Sequence, residues 1–212
     1  NSPRLDPGFH QFQTLLEGER RFAIGGRAGR VVLTAYDSRG RMGLLSSAVE
    51  RAMQAQGPVD IAAVRQYRGR GGVSLDLEQE VTADLGVFLR VGKAAGNVEA
   101  YEFTDIDRTQ AAGVSLRGTR WHRPGDTVGL AAIDDEISAA RERFLNAGGL
   151  GILVGDGRLP HPGPEQILET YYSLGLRGYA HLTLDYQWIG HPAYNRDRGP
   201  VSVLAVRAHA EF

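Results

Sequence analysis

Residues 165–212 read EQILETYYSLGLRGYAHLTLDYQWIGHPAYNRDRGPVSVLAVRAHAEF, and two segments of this stretch alternate between apolar and more polar side chains. The last segment sets one row against the other: Leu204, Val206, Ala208 and Ala210 against Ala205, Arg207, His209 and Glu211. The segment before it repeats the pattern with larger side chains: Ala180, Leu182, Leu184, Tyr186 and Trp188 against His181, Thr183, Asp185 and Gln187. A period of two residues is typical of a β-strand with one apolar face.

The length of these strands and their aromatic ends point to a membrane setting. Strands of about ten residues with an apolar outer row and a polar inner row are the unit of outer-membrane β-barrels, where lipid faces one side and water the other. Tyr186 and Trp188 lie together at one end of the apolar row, as expected at a membrane interface. The sequence therefore predicts an all-β fold, a transmembrane antiparallel β-barrel.

Several separate motifs resemble one known family. They are LNAGGLGILVGDGRLPHPGPEQILETYYSL, LTLDYQWIGHPAYNRDRGPVSV and VRAHAEF, with LEQEVTADLGVFLRVG, EAYEFTDIDRT and WHRPGDTVGLA further upstream. Together they resemble the carboxy-terminal half of the carbohydrate-selective porins, the OprB-like family of bacterial outer membranes, over residues 15–212. The resemblance implies a barrel of roughly sixteen strands, a size that leaves an aqueous channel. It also implies passive diffusion of monosaccharides and small sugars, without a cofactor.

Composition is compatible with this prediction and narrows the alternatives. There is no run of eighteen apolar residues, so no membrane-spanning helix is expected. The formal net charge of -1 argues against nucleic acid as a partner. Cysteine is absent, which excludes disulfides and cysteine-ligated metal.

The order of turns and loops suggests where the chain lies in a barrel. We expect about nine strands joined alternately by short turns and long loops, as in outer-membrane barrels with periplasmic turns and extracellular loops. HRPG at residues 122–125 is the predicted turn of one hairpin. Ser47 and Glu50 form a capping-box pattern that opens one loop helix, and residues 138–147 predict another that Gly148 and Gly149 end.

An odd strand count has a further implication. Bacterial single-chain barrels usually have an even number of strands, so we expect residues 1–212 to be the carboxy-terminal portion of a single, longer barrel domain. The alternative is a closed barrel of roughly eight or ten strands, if the strand count is off by one.

Inward-facing charges and aromatic rings are the groups that would give a pore its selectivity. Carboxylates and guanidinium groups bond sugar hydroxyls, and aromatic rings cover the apolar faces of sugar rings. Alternation places the following candidates on the inner row: Asp76, Glu78, Arg90, Arg117, Glu169, Tyr171, His181, Asp185 and Arg207. Glu17, Glu19 and Gln187 share that row. Their mixed signs disfavour a strongly ion-selective channel, and the ordinary alternative for each is a solvated wall of ion pairs.

Other functions and sites stay open at this point. A general diffusion porin, an outer-membrane barrel enzyme and a structural barrel are the alternatives, although no serine is placed beside His181 or His209. Asp105 and Asp107, with Glu99 and Glu102, offer hard oxygens for calcium in an outer loop, but a solvated acidic loop is the more ordinary interpretation. The two loop helices either fold into the channel and narrow it or pack as extracellular loops.

The terminal aromatic residue suggests partners beyond sugars. Outer-membrane barrels commonly end in an aromatic residue that the barrel-assembly machinery recognises, and the resemblance implies this role for Phe212. Outer-membrane lipid is the other expected partner, and assembly into a homo-oligomer is left open.

Overall fold

The structure is a computed structural model that describes residues 8–100, 105–151 and 158–211. The described residues form nine strands: β1 (Phe12–Ile24), β2 (Arg27–Gly43), β3 (Arg65–Glu80), β4 (Leu85–Ala94), β5 (Arg108–Gly118), β6 (Arg123–Glu136), β7 (Glu165–Arg177), β8 (Ala180–Gly190) and β9 (Val201–Ala210). Two α-helices accompany them, α1 (Leu45–Ala55) and α2 (Ala139–Asn146), with short 3-10 turns. The predicted all-β class with short loop helices is confirmed.

The strands form one antiparallel sheet in chain order, from β1 to β9. Each strand pairs with its sequence neighbours, as in an up-and-down barrel wall. The register shifts between Arg117 and Gly118 and between Gly175 and Arg177, close to two of the tight turns. Within the parts of the chain that the structure describes, no helix is long and apolar enough to cross a membrane.

Short turns and long loops alternate as predicted. The short connections are residues 25–26, 81–84, 119–122 and 178–179, and we call this edge of the sheet the short-turn end. The long connections are residues 44–64, 95–107, 137–164 and 191–200, at the long-loop end.

The predicted HRPG turn is wrong by a few residues. The chain turns at Thr119–Trp121 and His122, whose φ of 61° is left-handed, and Pro124 and Gly125 belong to β6. The pairing of β5 with β6 jumps from Arg117 opposite Thr127 to Gly118 opposite Arg123. Residues 124–126 therefore bulge out of the ladder, where a proline has no backbone hydrogen bond to donate.

The capping box predicted for α1 is also wrong. The helix begins at Leu45 after an extended Leu44, and no side chain caps it. Instead, Leu44 forms a bridge with Val98, and the Leu45 N–H donates to the Asn97 carbonyl at 3.1 Å. The prediction for α2 is confirmed, because the Ser138 side chain accepts from the Arg141 N–H and caps a helix that ends before Ala147.

The buried apolar core lies among the long loops, not between the faces of the sheet. Its buried members are Leu45, Ala48, Ile137, Phe144, Leu145, Leu159 and Tyr194. These residues come from α1, α2 and the segments after β6 and β8, so the helices and loops pack together as one layer at the long-loop end.

Candidate functional site

The strand register divides the sheet into two chemically different faces. One face of the sheet carries apolar side chains that are largely exposed, among them Leu16, Leu33, Leu89, Leu130, Leu168, Leu184 and Leu204. We call this side the apolar face and the other side the polar face. The register places all nine predicted site residues on the polar face, because each alternates with the apolar row of its own strand.

Three of the predicted residues meet in a network of ion pairs on β2, β3 and β4. Asp76 and Arg90 are directly opposed, and Oδ2 of Asp76 lies 2.5 Å from Nε of Arg90. Arg90 also lies 3.8 Å from Glu78, which binds Arg30 at 2.7 Å. Arg30 is 3.7 Å from Glu19 on β1. Opposite charges therefore alternate across four neighbouring strands, and the side chains keep access to solvent.

An aromatic ring completes this network. The guanidinium carbon of Arg90 lies 5.2 Å from the centre of the Phe88 ring, within cation–π range. Phe88, Arg90, Arg30, Glu78 and Ser115 line a concavity of about 590 Å³ near the short-turn end. It offers hydrogen-bonding charges beside an apolar ring. Arg30 and Phe88 were not among the predicted site residues, although the alternation of β2 and β4 could have identified them.

A second group of predicted residues lies on β7, β8 and β9. Tyr171 is opposed to Asp185, and Glu169 is opposed to Gln187. The Glu169 carboxyl faces that of Asp185, and the Arg207 guanidinium lies near enough to act on its charge. This group again combines carboxylates, an arginine and an aromatic ring.

The other two predicted residues lie apart, towards the short-turn end. His181 is directly opposed to His209, whose Nε2 lies 3.0 Å from Glu211. Arg117 is opposed to Thr127, next to the bulge in β6. The structure therefore brings seven of the predicted residues into two groups and leaves His181 and Arg117 outside them, with Phe212 outside the described residues.

The aromatic rings of the polar face are held by glycines on the neighbouring strand. Three directly opposed pairs share this arrangement: Tyr36 with Gly72, Phe88 with Gly113, and Tyr171 with Gly129. A Cβ atom at each glycine would lie within 2.5 Å of the ring. Each ring thus covers a position that only glycine leaves open, which fixes the orientation of the ring.

The acidic loop residues that could have offered calcium ligands bind arginines instead. Asp105 and Asp107 pair with Arg141 from α2, and Glu99 pairs with Arg65. Glu102 lies outside the described residues. Among the residues that the structure does describe, no group of three histidine or acidic side chains is arranged to hold a metal ion.

A single antiparallel sheet with one apolar and one polar face, short turns at one end and long loops at the other, is the wall of an outer-membrane-type β-barrel channel. The chain belongs to the carbohydrate-selective porin, OprB family, whose sequence model matches residues 8–212. The family and the fold are those of a channel rather than an enzyme. No curated protein matched the chain.

The fold is similar to that of Pseudomonas putida OprB, in a structure described as its high-pH form, with a TM-score of 0.79. The two sequences are 16% identical, and the alignment covers 97% of this chain and 50% of that one. The chain thus spans about half the length of this structural relative.

Proposed function

We propose that this chain forms part of the wall of a bacterial outer-membrane porin through which monosaccharides and small sugars diffuse passively. In this arrangement the polar face lines the aqueous channel and the apolar face contacts lipid. The short-turn end then lies in the periplasm and the long-loop end outside the cell. The observation that carries the proposal is the Asp76–Arg90–Glu78–Arg30 network beside the Phe88 ring, on the face that lipid does not contact.

The chemistry of this network suits an uncharged polyhydroxylated solute. Guanidinium groups donate in fixed directions and carboxylates accept, so adjacent members bind neighbouring hydroxyls of a sugar. The Phe88 ring offers an apolar surface for the carbon-bound hydrogens of the sugar ring. Because the positive and negative groups alternate, their fields largely cancel, which favours neutral solutes over ions.

The group on β7, β8 and β9 provides a second contact region of the same kind. Tyr171 supplies the ring, and Glu169, Asp185 and Arg207 supply acceptors and a donor. His181 and Arg117 are proposed as pore-lining residues closer to the periplasmic mouth. Phe212 is proposed as the signal for the barrel-assembly machinery, and lipid as the partner of the apolar face.

Liposome swelling with the full-length protein tests this function. Glucose, a disaccharide and an uncharged amino acid of similar size are compared, with Arg90→Gln as the variant and Arg51→Gln on the exposed surface of α1 as the matched control. We expect faster sugar entry in the parent and in Arg51→Gln, and slower sugar entry in Arg90→Gln.

The other outcomes each point to an alternative. Equal rates for all three solutes would indicate a general diffusion porin. An assembled barrel that gives no swelling at all would indicate a structural barrel or an enzyme.

A further inference from the structure

Two charged residues of the polar face are buried at the long-loop end. Arg70 lies on β3 four residues before Ser74, on the same face as Asp76, and Asp107 comes two residues before Thr109 of β5. Arg70 is 8% exposed and Asp107 4% exposed. The network of Asp76 and Arg90, on the same face but nearer the short-turn end, is accessible to solvent. The Nη2 atom of Arg70 and the Oδ1 atom of Asp107 are 2.8 Å apart. The polar face therefore carries a buried ion pair at its upper edge.

Helix α2 is attached to this ion pair by one arginine. Arg141 is 3% exposed, and its guanidinium lies 3.0 Å from Asp107 and 2.7 Å from Asp105. It also donates to the Val98 carbonyl at 3.3 Å. The Ser138 N–H at the start of the helix donates to Asp107 at 2.9 Å, so Asp107 accepts from the backbone and the side chain of the same helix. We call Arg70, Asp105, Asp107 and Arg141 the latch.

The latch determines on which side of the sheet the loop layer lies. Helix α1 follows β2 and helix α2 follows β6, and the two helices share one apolar core that includes Leu45 and Phe144. Three strands, β3, β4 and β5, separate their starting points in the sheet. A helix pair that spans these strands and is fixed to Arg70 and Asp107 lies towards the polar face.

The charges of the latch make this position difficult to leave. The positive charges of the two arginines match the negative charges of the two aspartates. Burial of any one of these charges without its partner is unfavourable. Burial alone raises the pKa of Asp107, but the hydrogen bonds and charge of Arg141, the Ser138 N–H and Arg70 outweigh it and lower the pKa of Asp107. Asp107 therefore carries its negative charge at neutral pH.

We infer that Arg141 is a positioning residue that holds the α1–α2 layer over the outer mouth of the pore and so limits the size of the sugar that enters. The inference rests on the proposed function, since it concerns which solutes reach the same channel. The layer is a fixed cap rather than a solute-binding element, because the latch residues are buried and bind one another.

The test compares size selectivity in the full-length protein. Swelling of liposomes is measured with a monosaccharide and with a linear trisaccharide, and single-channel conductance is recorded in parallel. Arg141→Met retains much of the side-chain volume but removes the charge. Arg143→Met changes an exposed arginine of the same helix and is the matched control.

We expect Arg141→Met to raise the trisaccharide-to-monosaccharide ratio by about threefold and to increase conductance, because the wider mouth relieves the steric limit. Arg143→Met keeps the parent ratio. Should Arg141→Met fail to assemble, Arg141→Lys carries the test, since it keeps the charge but loses the two-pronged contact with Asp105 and Asp107. An assembled Arg141 variant with the parent ratio and conductance would overturn the inference, whereas a parent protein that admits no sugar would overturn the proposed function instead.

Discussion

Tyr172 donates its hydroxyl proton to the carboxylate of Asp126, across the pairing of β7 with β6 at the short-turn end. The same hydroxyl accepts from the Trp121 indole N–H at 2.9 Å. Asp126 is 1% exposed and also binds Arg123 at 2.5 Å and the Gly175 N–H at 2.9 Å. A carboxylate on the apolar side of β6 is thus fully supplied with donors, in a cluster of aromatic rings of the kind found at membrane interfaces.

Removing that hydroxyl should weaken the barrel without changing its pore. Tyr172→Phe leaves the Trp121 N–H without its partner and removes one of the two donors to Oδ2 of Asp126, which keeps Arg123. We therefore expect the free energy of unfolding to fall by about 1 kcal/mol. Urea unfolding of the full-length protein in detergent measures the change. Tyr171→Phe, on the opposite face of the same strand, is the control. An equal loss in both variants would contradict the assigned role of Tyr172.

The Tyr171 ring depends on the glycine opposite it. In Gly129→Ala the new Cβ would lie 2.2 Å from the present position of the ring, so the ring must move off the polar face of β6. We expect sugar binding in the channel, measured as sugar-induced block of single-channel current, to weaken about fivefold through loss of the ring contact.

Gly86→Ala is the matched control for this change. Gly86 is also a polar-face glycine, but the nearest atom to an added Cβ is the Gln79 carbonyl oxygen at 4.0 Å. Sugar block should therefore match the parent. Weakening in both variants would mean that any added methyl group on this face impedes sugars, regardless of Tyr171.

The balance of charge on the polar face makes a separate prediction for ions. Arg90→Gln leaves Asp76 and Glu78 with less positive charge nearby, since Arg90 binds Asp76 at 2.5 Å and lies 3.8 Å from Glu78. We expect cation permeability relative to anion permeability to rise about twofold, as the wall becomes more negative. Reversal potentials in a potassium chloride gradient report the ratio. An unchanged potential would place Arg90 away from the ion path.

The sequence predicts the faces of the sheet better than the ends of its strands. Alternation places Asp76, Glu169 and Arg207 on one face because one side of each strand is apolar. In β2 the alternation stops near Asp37, whereas the strand continues to Gly43, which pairs with Arg65 of β3. Where a strand extends beyond the apolar band of the sheet, both of its faces are polar. The period of two then disappears from the sequence, while the backbone pairing continues.

Contacts between distant segments are what the sequence does not predict. The strand pairing of Asp76 with Arg90 follows from one short turn, so a correct hairpin is enough to find it. The latch joins Arg70 to Asp107 and Asp107 to Arg141, residues that lie in different loops and strands. Their acidic members were compatible with calcium because composition alone does not indicate which cation, metal or guanidinium, they bind.

Acidic pH should release the α1–α2 layer, and the lowered pKa of Asp107 determines the pH range in which this happens. A carboxyl whose pKa is lower in the folded state stabilises that state fully above its unfolded pKa, about 3.9 for aspartate, and loses this contribution as the pH falls through the folded value. Arg70, Arg141 and Asp105 are the charged groups that face Asp107. We therefore expect constant conductance from neutral pH down to about pH 4, and a rise at lower pH as the latch loses its central charge.

In Asp107→Asn the latch lacks that charge throughout, so conductance should be higher than in the parent at neutral pH and should lack the acid transition. A parent transition near the usual histidine pKa of about 6.5 would instead assign the pH response to a histidine and separate it from the latch.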